Sequence, residues 1–385
     1  MRTVPLGEVA EINPIGDRPA LDDRVSFVGM AQMDAVGAVA RPLDDRSFSE
    51  VSKGYTIFRD GDILAAKITP CWENGKVGQA RLDQPYGVGS TEFHVIRPDA
   101  SLDGRYLLHL LRTSRVRDTG ELRMTGSAGQ RRVPATYLRG LEIPLPSLEE
   151  QRRIAAILDK ADSIRAKRRQ VLDHLDALTQ SIFHDMFDAP SLPKSPLASI
   201  IDGDDRINYG VVQPGDEYPG GVPLIRVSDL MRRSGGKTSL KKIDPSIDRK
   251  YQRSRIKGNE ILVSCVGSIG DVAEATEELV GCNIARAVSR VPISDPGLRT
   301  YVADYLRGET AQRYFRREIR LVAQPTLNVK QLAALEIPIP GKALTDVYEH
   351  RRAALASVWR KVERAIEHDE VFFASLQSRA FAGEL

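Results

Sequence analysis

The sequence predicts an α+β protein: two similar globules joined by two long helices that pair as an antiparallel coiled coil, with pseudo-twofold symmetry. Three observations predict it. First, Leu141-Glu142-Ile143-Pro144-Leu145-Pro146 returns as Leu335-Glu336-Ile337-Pro338-Ile339-Pro340, a shift of 335 − 141 = 194 positions. Second, each copy leads into a stretch of some 35 residues, rich in Arg, Glu and Ala, with neither Gly nor Pro. Third, short apolar runs bounded by Gly, Pro and Asp fill the intervals. The shift of 194 also carries Pro98 onto Pro292, Gln130 onto Gln324 and Leu138 onto Leu332, and 195 carries Tyr106 onto Tyr301. A period this long, present only twice, marks a duplicated domain rather than stacked short repeats. The divisions expected are 1–146 and 190–341 for the globules, and 147–189 and 342–385 for the helices.

In the first globule, Val25 to Met30, Asp62 to Ala66 and Glu92 to Ile96 read as strands between turns. Leu107, Leu108, Leu110 and Leu111 fall at helical spacing, which predicts a helix over Tyr106 to Arg117. Ser147-Leu148-Glu149-Glu150 has the form of a capping box and opens the first long helix. Its expected seam is Ile154, Ile157, Ala161, Ile164, Val171, Leu175, Leu178 and Ile182, with Arg168 at one inward position. The Pro-rich residues 188–198 read as a linker. Val222 to Val227 and Glu260 to Cys265 then look like strands, and Tyr301 to Arg317 like a helix. The last helix shows Leu344, Leu355, Val358, Val362, Ile366, Phe373 and Leu376 as its stripe. A lone helix leaves such a seam wet, and each fully buried Ile or Leu contributes roughly 1.5–3 kcal/mol, so the two seams are expected to pair.

The formal net charge is +3 over 385 residues, with a charged fraction of 28%. Residues 1–146 carry 19 basic and 19 acidic side chains, residues 191–340 carry 22 and 18, so the second globule is the more basic. The odd set Cys71, Cys265 and Cys282 has no C-x-x-C spacing, which favours reduced thiols over a disulfide framework or a zinc site. The amino terminus has no apolar signal core, and no run approaches the roughly 20 apolar residues of a membrane span. A cytoplasmic protein is expected.

Catalytic signatures are sparse. There is no G-x-x-x-x-G-K-[ST] loop, no H-E-x-x-H and no metal-spaced His/Cys cluster, so no metal site is expected. Asn13-Pro14-Ile15 lacks the second proline and the aromatic with which adenine methyltransferases grip an extruded base. Asp244 with Asp248-Arg249-Lys250 faintly matches a metal-nuclease pattern, which arises readily by chance in so charged a chain. Gly75-Lys76-Val77-Gly78 and Gly267-Ser268-Ile269-Gly270 read as tight turns. Two readings stand: a duplicated DNA reader, or a protein-interaction scaffold with two binding domains on a coiled-coil spacer. DNA affinity that falls steeply with salt separates them.

The motifs resemble a known family. The first six-residue string, followed by Glu150-Gln151-Arg152-Arg153-Ile154-Ala155-Ala156-Ile157-Leu158, is similar to the junction of Type I restriction–modification specificity subunits. So is Gly258 to Ser264 running into Gly267-Ser268-Ile269-Gly270. The likeness covers essentially the whole chain, although Gly341-Lys342-Ala343-Leu344 lacks the Glu-Gln pair at the second junction. The resemblance implies a non-catalytic subunit that binds double-stranded DNA. Each globule would be a target-recognition domain reading one half of a split site. The helices would set the spacer and dock two methyltransferase subunits. Those partners would bind S-adenosylmethionine, which this chain would not, and restriction subunits can join them.

Readout of base edges uses Arg or Lys for guanine, Asn or Gln for adenine and small hydroxyls for either. On that basis the first-domain candidates are Lys67, Thr69, Lys76, Arg123, Ser127, Gln130, Arg131 and Arg132. The second-domain candidates are Arg226, Ser228, Arg232, Arg233, Lys237, Lys241, Lys242, Arg253, Arg255 and Lys257.

Overall fold

The computed structural model describes residues 2–16, 18–34, 37–127, 129–188, 192–230, 237–319 and 325–385. The chain forms two compact units, Met1–Leu172 with Val362–Leu385, and Asp173–Lys361. Each unit thus combines a globular part with a portion of both long helices, Leu148–Phe187 and Lys342–Ala382.

The first unit is built on two sheets. A six-stranded sheet runs in the order Ala10–Ile12, Phe93–Pro98, Ile63–Ala66, Val77–Ala80, Val39–Ala40, Met33–Asp34. A four-stranded sheet runs Asp44–Ser47, Arg24–Val28, Tyr86–Gly89, Thr56–Arg59. Ile63–Ala66 is covered on both faces, so all four side chains are buried and the strand reads as a continuous apolar run. The second unit repeats the plan. Asn208–Tyr209, Val288–Pro292, Glu260–Ser264 and Val272–Glu274 form one sheet, and Lys241–Ile243, Val222–Ile225 and Asn283–Ile284 the other.

The repeated six-residue string is a strand in both units. Glu142–Pro144 pairs antiparallel with Thr3–Pro5, and Glu336–Pro338 with Lys194–Pro196. The hydroxyl of Tyr106 donates to the Pro144 carbonyl at 3.0 Å, and that of Tyr301 to the Pro338 carbonyl at 2.7 Å. A proline carbonyl before a chain reversal needs such a donor once water is excluded, which explains why the tyrosine recurs with the string. The pairing also corrects the linker reading of 188–198. Lys194–Pro196 is a strand of the second unit, while residues 189–191 lie outside the described residues.

Each expected mid-domain helix is two. Gly104–Leu111 and Ser114–Leu122 are separated where the Thr113 side chain accepts the Val116 amide as a new N-cap. Pro296–Arg307 and Glu309–Glu318 break at Gly308. At the first long helix only half of the capping box forms. Ser147 accepts the Glu150 amide at 3.3 Å, but the Glu150 carboxylate turns to Arg153 at 2.7 Å.

The long helices pair antiparallel within each unit, with a seam offset from the expected one. In the first unit Arg168 reaches the Ala365 carbonyl at 2.9 Å and Asp369 at 2.7 Å, and Glu370 takes both Arg165 and Arg169. In the second, Phe183 and Phe187 close on Tyr348 at 5.7 and 5.1 Å. Ile154 is buried, and Ala161, Leu175, Ile182, Leu355, Val362, Ile366, Phe373 and Leu376 are buried or half-buried. Ile164, Val171 and Leu178, expected in the seam, are 42%, 40% and 45% exposed, and Leu344 and Val358 are 36% and 45% exposed. Leu158 and Phe183 are buried instead, and Ile157 only half-buried. The cause is polar: Asp162, Arg165, Arg168 and Arg169 occupy the inward phase, so counting apolar residues finds the neighbouring one.

Candidate nucleic-acid interface

The first-domain candidates converge although they lie some 60 residues apart in sequence. The segment after Ile63–Ala66 is closed by the segment after Ser114–Leu122. The Thr69 amide donates to the Arg131 carbonyl at 2.9 Å, the Val133 amide to the Lys67 carbonyl at 2.9 Å, and Ile68 forms an antiparallel bridge with Arg132. Beneath them sits buried His94. Its Nε2 donates to the Val133 carbonyl at 2.8 Å, so Nδ1 is left to accept from Asn13 at 3.2 Å. Burial, aided by the nearby Lys67 and Arg139, pushes the His94 pKa below its ordinary value and keeps the ring neutral.

On this frame the side chains differ in availability. Arg132 makes a two-pronged pair with Glu92 at 2.7 and 2.9 Å. That hydrogen bond, with Lys67 adding to it, holds the Glu92 carboxyl below the usual range. Thr69 donates to Glu73 at 2.9 Å and Lys76 to the Met30 carbonyl at 3.2 Å. Arg123, Ser127, Gln130 and Arg131 are exposed, and Arg131 donates to the Glu121 carbonyl at 3.1 Å. The first domain therefore presents Arg123, Ser127, Gln130 and Arg131 to solvent, with half-buried Lys67 beside them on the rim.

The second-domain candidates do not form one rim. Arg226 pairs with Asp229 at 3.1 Å, Lys257 with Asp205 at 2.8 Å, and Arg255 with buried Asp248. Lys237 and Lys241 donate to the carbonyls of Val280 and Gly215 at 2.7 and 2.6 Å. Ser228, Lys242 and Arg253 have no side-chain partner among the described residues. Arg232 and Arg233 lie outside the described residues. Lys241 and Lys242 stand on the strand beside Val222–Ile225, ahead of a helix capped by Asp244. In the first unit Asp44 and Asp45 hold those places, beside Arg24–Val28 and ahead of the helix capped by Ser47.

The second-unit counterpart of the first rim lies elsewhere. The Leu327 amide donates to the Cys265 carbonyl at 2.9 Å and Val266 bridges Thr326, repeating Val133 on Lys67 and Ile68 with Arg132. Cys265, Asp271 and Thr326 thus stand where Lys67, Lys76 and Arg132 stand in the first unit. The Cys265 thiol is buried, which pushes its pKa up, and it donates to Ser289 at 3.2 Å. Charge counting missed this rim because its duplicated feature is a backbone closure. The signal available was the 194-residue shift itself, which carries Arg132 onto Thr326. Among the described residues no group of three His, Cys, Asp or Glu side chains could hold a metal ion, and no helix is long and apolar enough to cross a membrane.

A family described as the Type I restriction modification DNA specificity domain matches residues 1–174. The EcoAI specificity subunit of Escherichia coli is 35% identical over 193 residues, 49% of this chain and 33% of that protein. The EcoEI subunit of the same organism is 39% identical over 182 residues, 46% and 31% of the two chains. The EcoBI subunit is 28% identical over 294 residues, 68% and 62%. Residues 1–174 are thus similar to the Type I restriction–modification specificity domain, and parts of the chain are similar to specificity subunits. The alignments span about a third of the length of the EcoAI and EcoEI relatives. The fold is shared with a chain from a type I R-M system, at TM-score 0.56 and 18% identity over 100% of this chain and 98% of that one. The S subunit from M. genitalium gives 0.51 and 14%, over 99% and 96%.

Proposed function

We propose that this chain is a Type I restriction–modification specificity subunit, that it reads a bipartite duplex DNA target, one half-site per globule, and that it docks two methyltransferase subunits on its long helices. The domain divisions are 1–146 and 190–341 for recognition and 147–189 and 342–385 for the helices. The observation that carries the reading is one backbone closure built twice under different side chains. Lys67 and Arg132 stand over the first, Cys265 and Thr326 over the second. One frame with two side-chain sets suits an asymmetric site, because phosphate contacts position and base contacts specify. Exposed apolar residues outside the seam support docking: Ile164, Val171 and Phe372 in the first unit, Leu178 and Val358 in the second. S-adenosylmethionine and the methyl transfer belong to the partners, as does cleavage where restriction subunits join.

The test is salt dependence in the assembled methyltransferase. If Lys67 and Arg131 both meet phosphates, Lys67→Ala with Arg131→Ala lowers the slope of log affinity against log salt by about 1.8. An unchanged slope removes this rim from the interface, and salt-independent binding of the unsubstituted assembly favours the protein scaffold.

A further inference from the structure

The second rim poses a chemical problem. At the positions of Lys67 and Lys76 in the first unit, the second has a buried thiol, Cys265, and a carboxyl, Asp271. Neither supplies the donor fork with which a protein grips guanine. Most of the unit's cations are also engaged. Arg226 is held by Asp229, Lys257 by Asp205 and Arg255 by Asp248. Arg290 is wholly buried between Asp205 and Glu260, at 2.8 and 3.0 Å.

Among the described residues, one cation stands on the rim itself. The Cys265 amide donates to the Ala287 carbonyl at 2.7 Å, just as the Lys67 amide donates to the Glu92 carbonyl at 2.8 Å. Residues 285–287 therefore take the place of residues 90–92, and Arg286 falls where the first unit has Thr91. Its backbone is clamped. The Arg286 amide donates to the Val211 carbonyl at 2.8 Å, Ala285 to Ile225 at 2.9 Å, and Val288 to Ala285 at 2.9 Å. Val211 and Ala285 also form a parallel bridge. The side chain is exposed and has no hydrogen-bond or ion-pair partner among the described residues. A fixed mount under a free guanidinium is the arrangement that lets a long side chain read with little ordering cost.

We propose that Arg286 is a base-reading residue of the second unit and that its target is a guanine edge in the major groove. The assignment rests on the DNA-reading function proposed above. Arg286 supplies the paired donors that the first rim draws from other positions, so the two half-sites differ in the corner of the rim that reads them.

The experiment is selection from a random duplex library by the full chain assembled with its methyltransferase, unsubstituted or carrying Arg286→Ala or Arg286→Lys. The expected result is two conserved blocks for the unsubstituted chain. Arg286→Ala should lose preference at one guanine of one block, by roughly tenfold to hundredfold, with the other block unchanged. Arg286→Lys should keep part of that preference. If Arg286→Ala retains both blocks, or weakens binding to all sequences alike with a shallower salt slope, the residue does not read a base and the proposal falls. If the unsubstituted assembly selects no sequence, the DNA-reading function itself fails, a different result from unaltered blocks.

Discussion

The helix-to-globule clasps of the two units place their acid on opposite sides, and their burial predicts unequal costs of removal. In the first unit, Asp159 on the long helix accepts from Arg105 and, at 2.7 Å, from His109 of Gly104–Leu111. In the second, the acid is on the globule. Asp304 accepts from Tyr348 at 2.6 Å and Arg352 at 2.9 Å on the long helix, and from Arg307 at 2.5 Å. The Asp304 side chain is 1% exposed and that of Asp159 37%. Asp304→Ala leaves Arg352 and the Tyr348 hydroxyl without their acceptor, a loss of about 3–5 kcal/mol. Asp159→Ala opens a solvent-screened pair, a loss of about 1 kcal/mol. The chain has two tryptophans, and each unit holds one: Trp72 in the first and Trp359 in the second. Single-tryptophan variants, Trp359→Phe and Trp72→Phe, therefore report each unit in urea. With a slope of ~2 kcal/mol per molar, Asp304→Ala should lower the Trp359 midpoint by about 2 M, and Asp159→Ala the Trp72 midpoint by about 0.5 M. Equal shifts, or a larger one for Asp159→Ala, refute the argument from burial.

Three further outcomes follow from the same contacts. Burial alone would raise the Asp159 pKa, but hydrogen bonds from His109 and Arg105 hold it down, to about 2. Its contribution is thus complete above the ordinary value of 3.8 and disappears as pH falls towards 2, so the stability gap between the unsubstituted chain and Asp159→Asn, about 1 kcal/mol after screening, should close over that window in acid titrations. A Cβ on Gly120 would lie 2.3 Å from the Trp72 ring, so Gly120→Ala should cost about 1–3 kcal/mol and red-shift Trp72 emission, whereas an unmoved spectrum contradicts the packing. Adding four residues to each long helix at matched positions adds ~6 Å, nearly two base pairs, and the preferred spacer in selected targets should lengthen accordingly; an unchanged spacer removes the helices as the measure of half-site separation.

Much of the architecture was legible because it is written in residues with one strong local meaning. The Pro-bearing string, the Gly- and Pro-free stretches and the leucines at 107, 108, 110 and 111 all report backbone state directly. The seam phase was not legible. Arg165, Arg168 and Arg169 bury their stems while pairing with Asp369 and Glu370, and an apolar stripe cannot register a seam built on ion pairs. The first rim was legible as two basic segments, although their meeting depends on the Thr69–Arg131 and Val133–Lys67 hydrogen bonds across a long sequence gap. The second rim was not. Dense charge drew attention to residues 226–257, where Asp205, Asp229 and Asp248 neutralise three of the cations, while Arg286 sits between Ile284-Ala285 and Ala287-Val288, which read as core.

The central claim is that two similar globules each read a separate stretch of duplex. Selection of random duplexes by the assembled, unsubstituted chain tests it most directly. Two short conserved blocks separated by a fixed, unconserved spacer are the predicted result. A single uninterrupted block, or no enrichment at low salt, contradicts it.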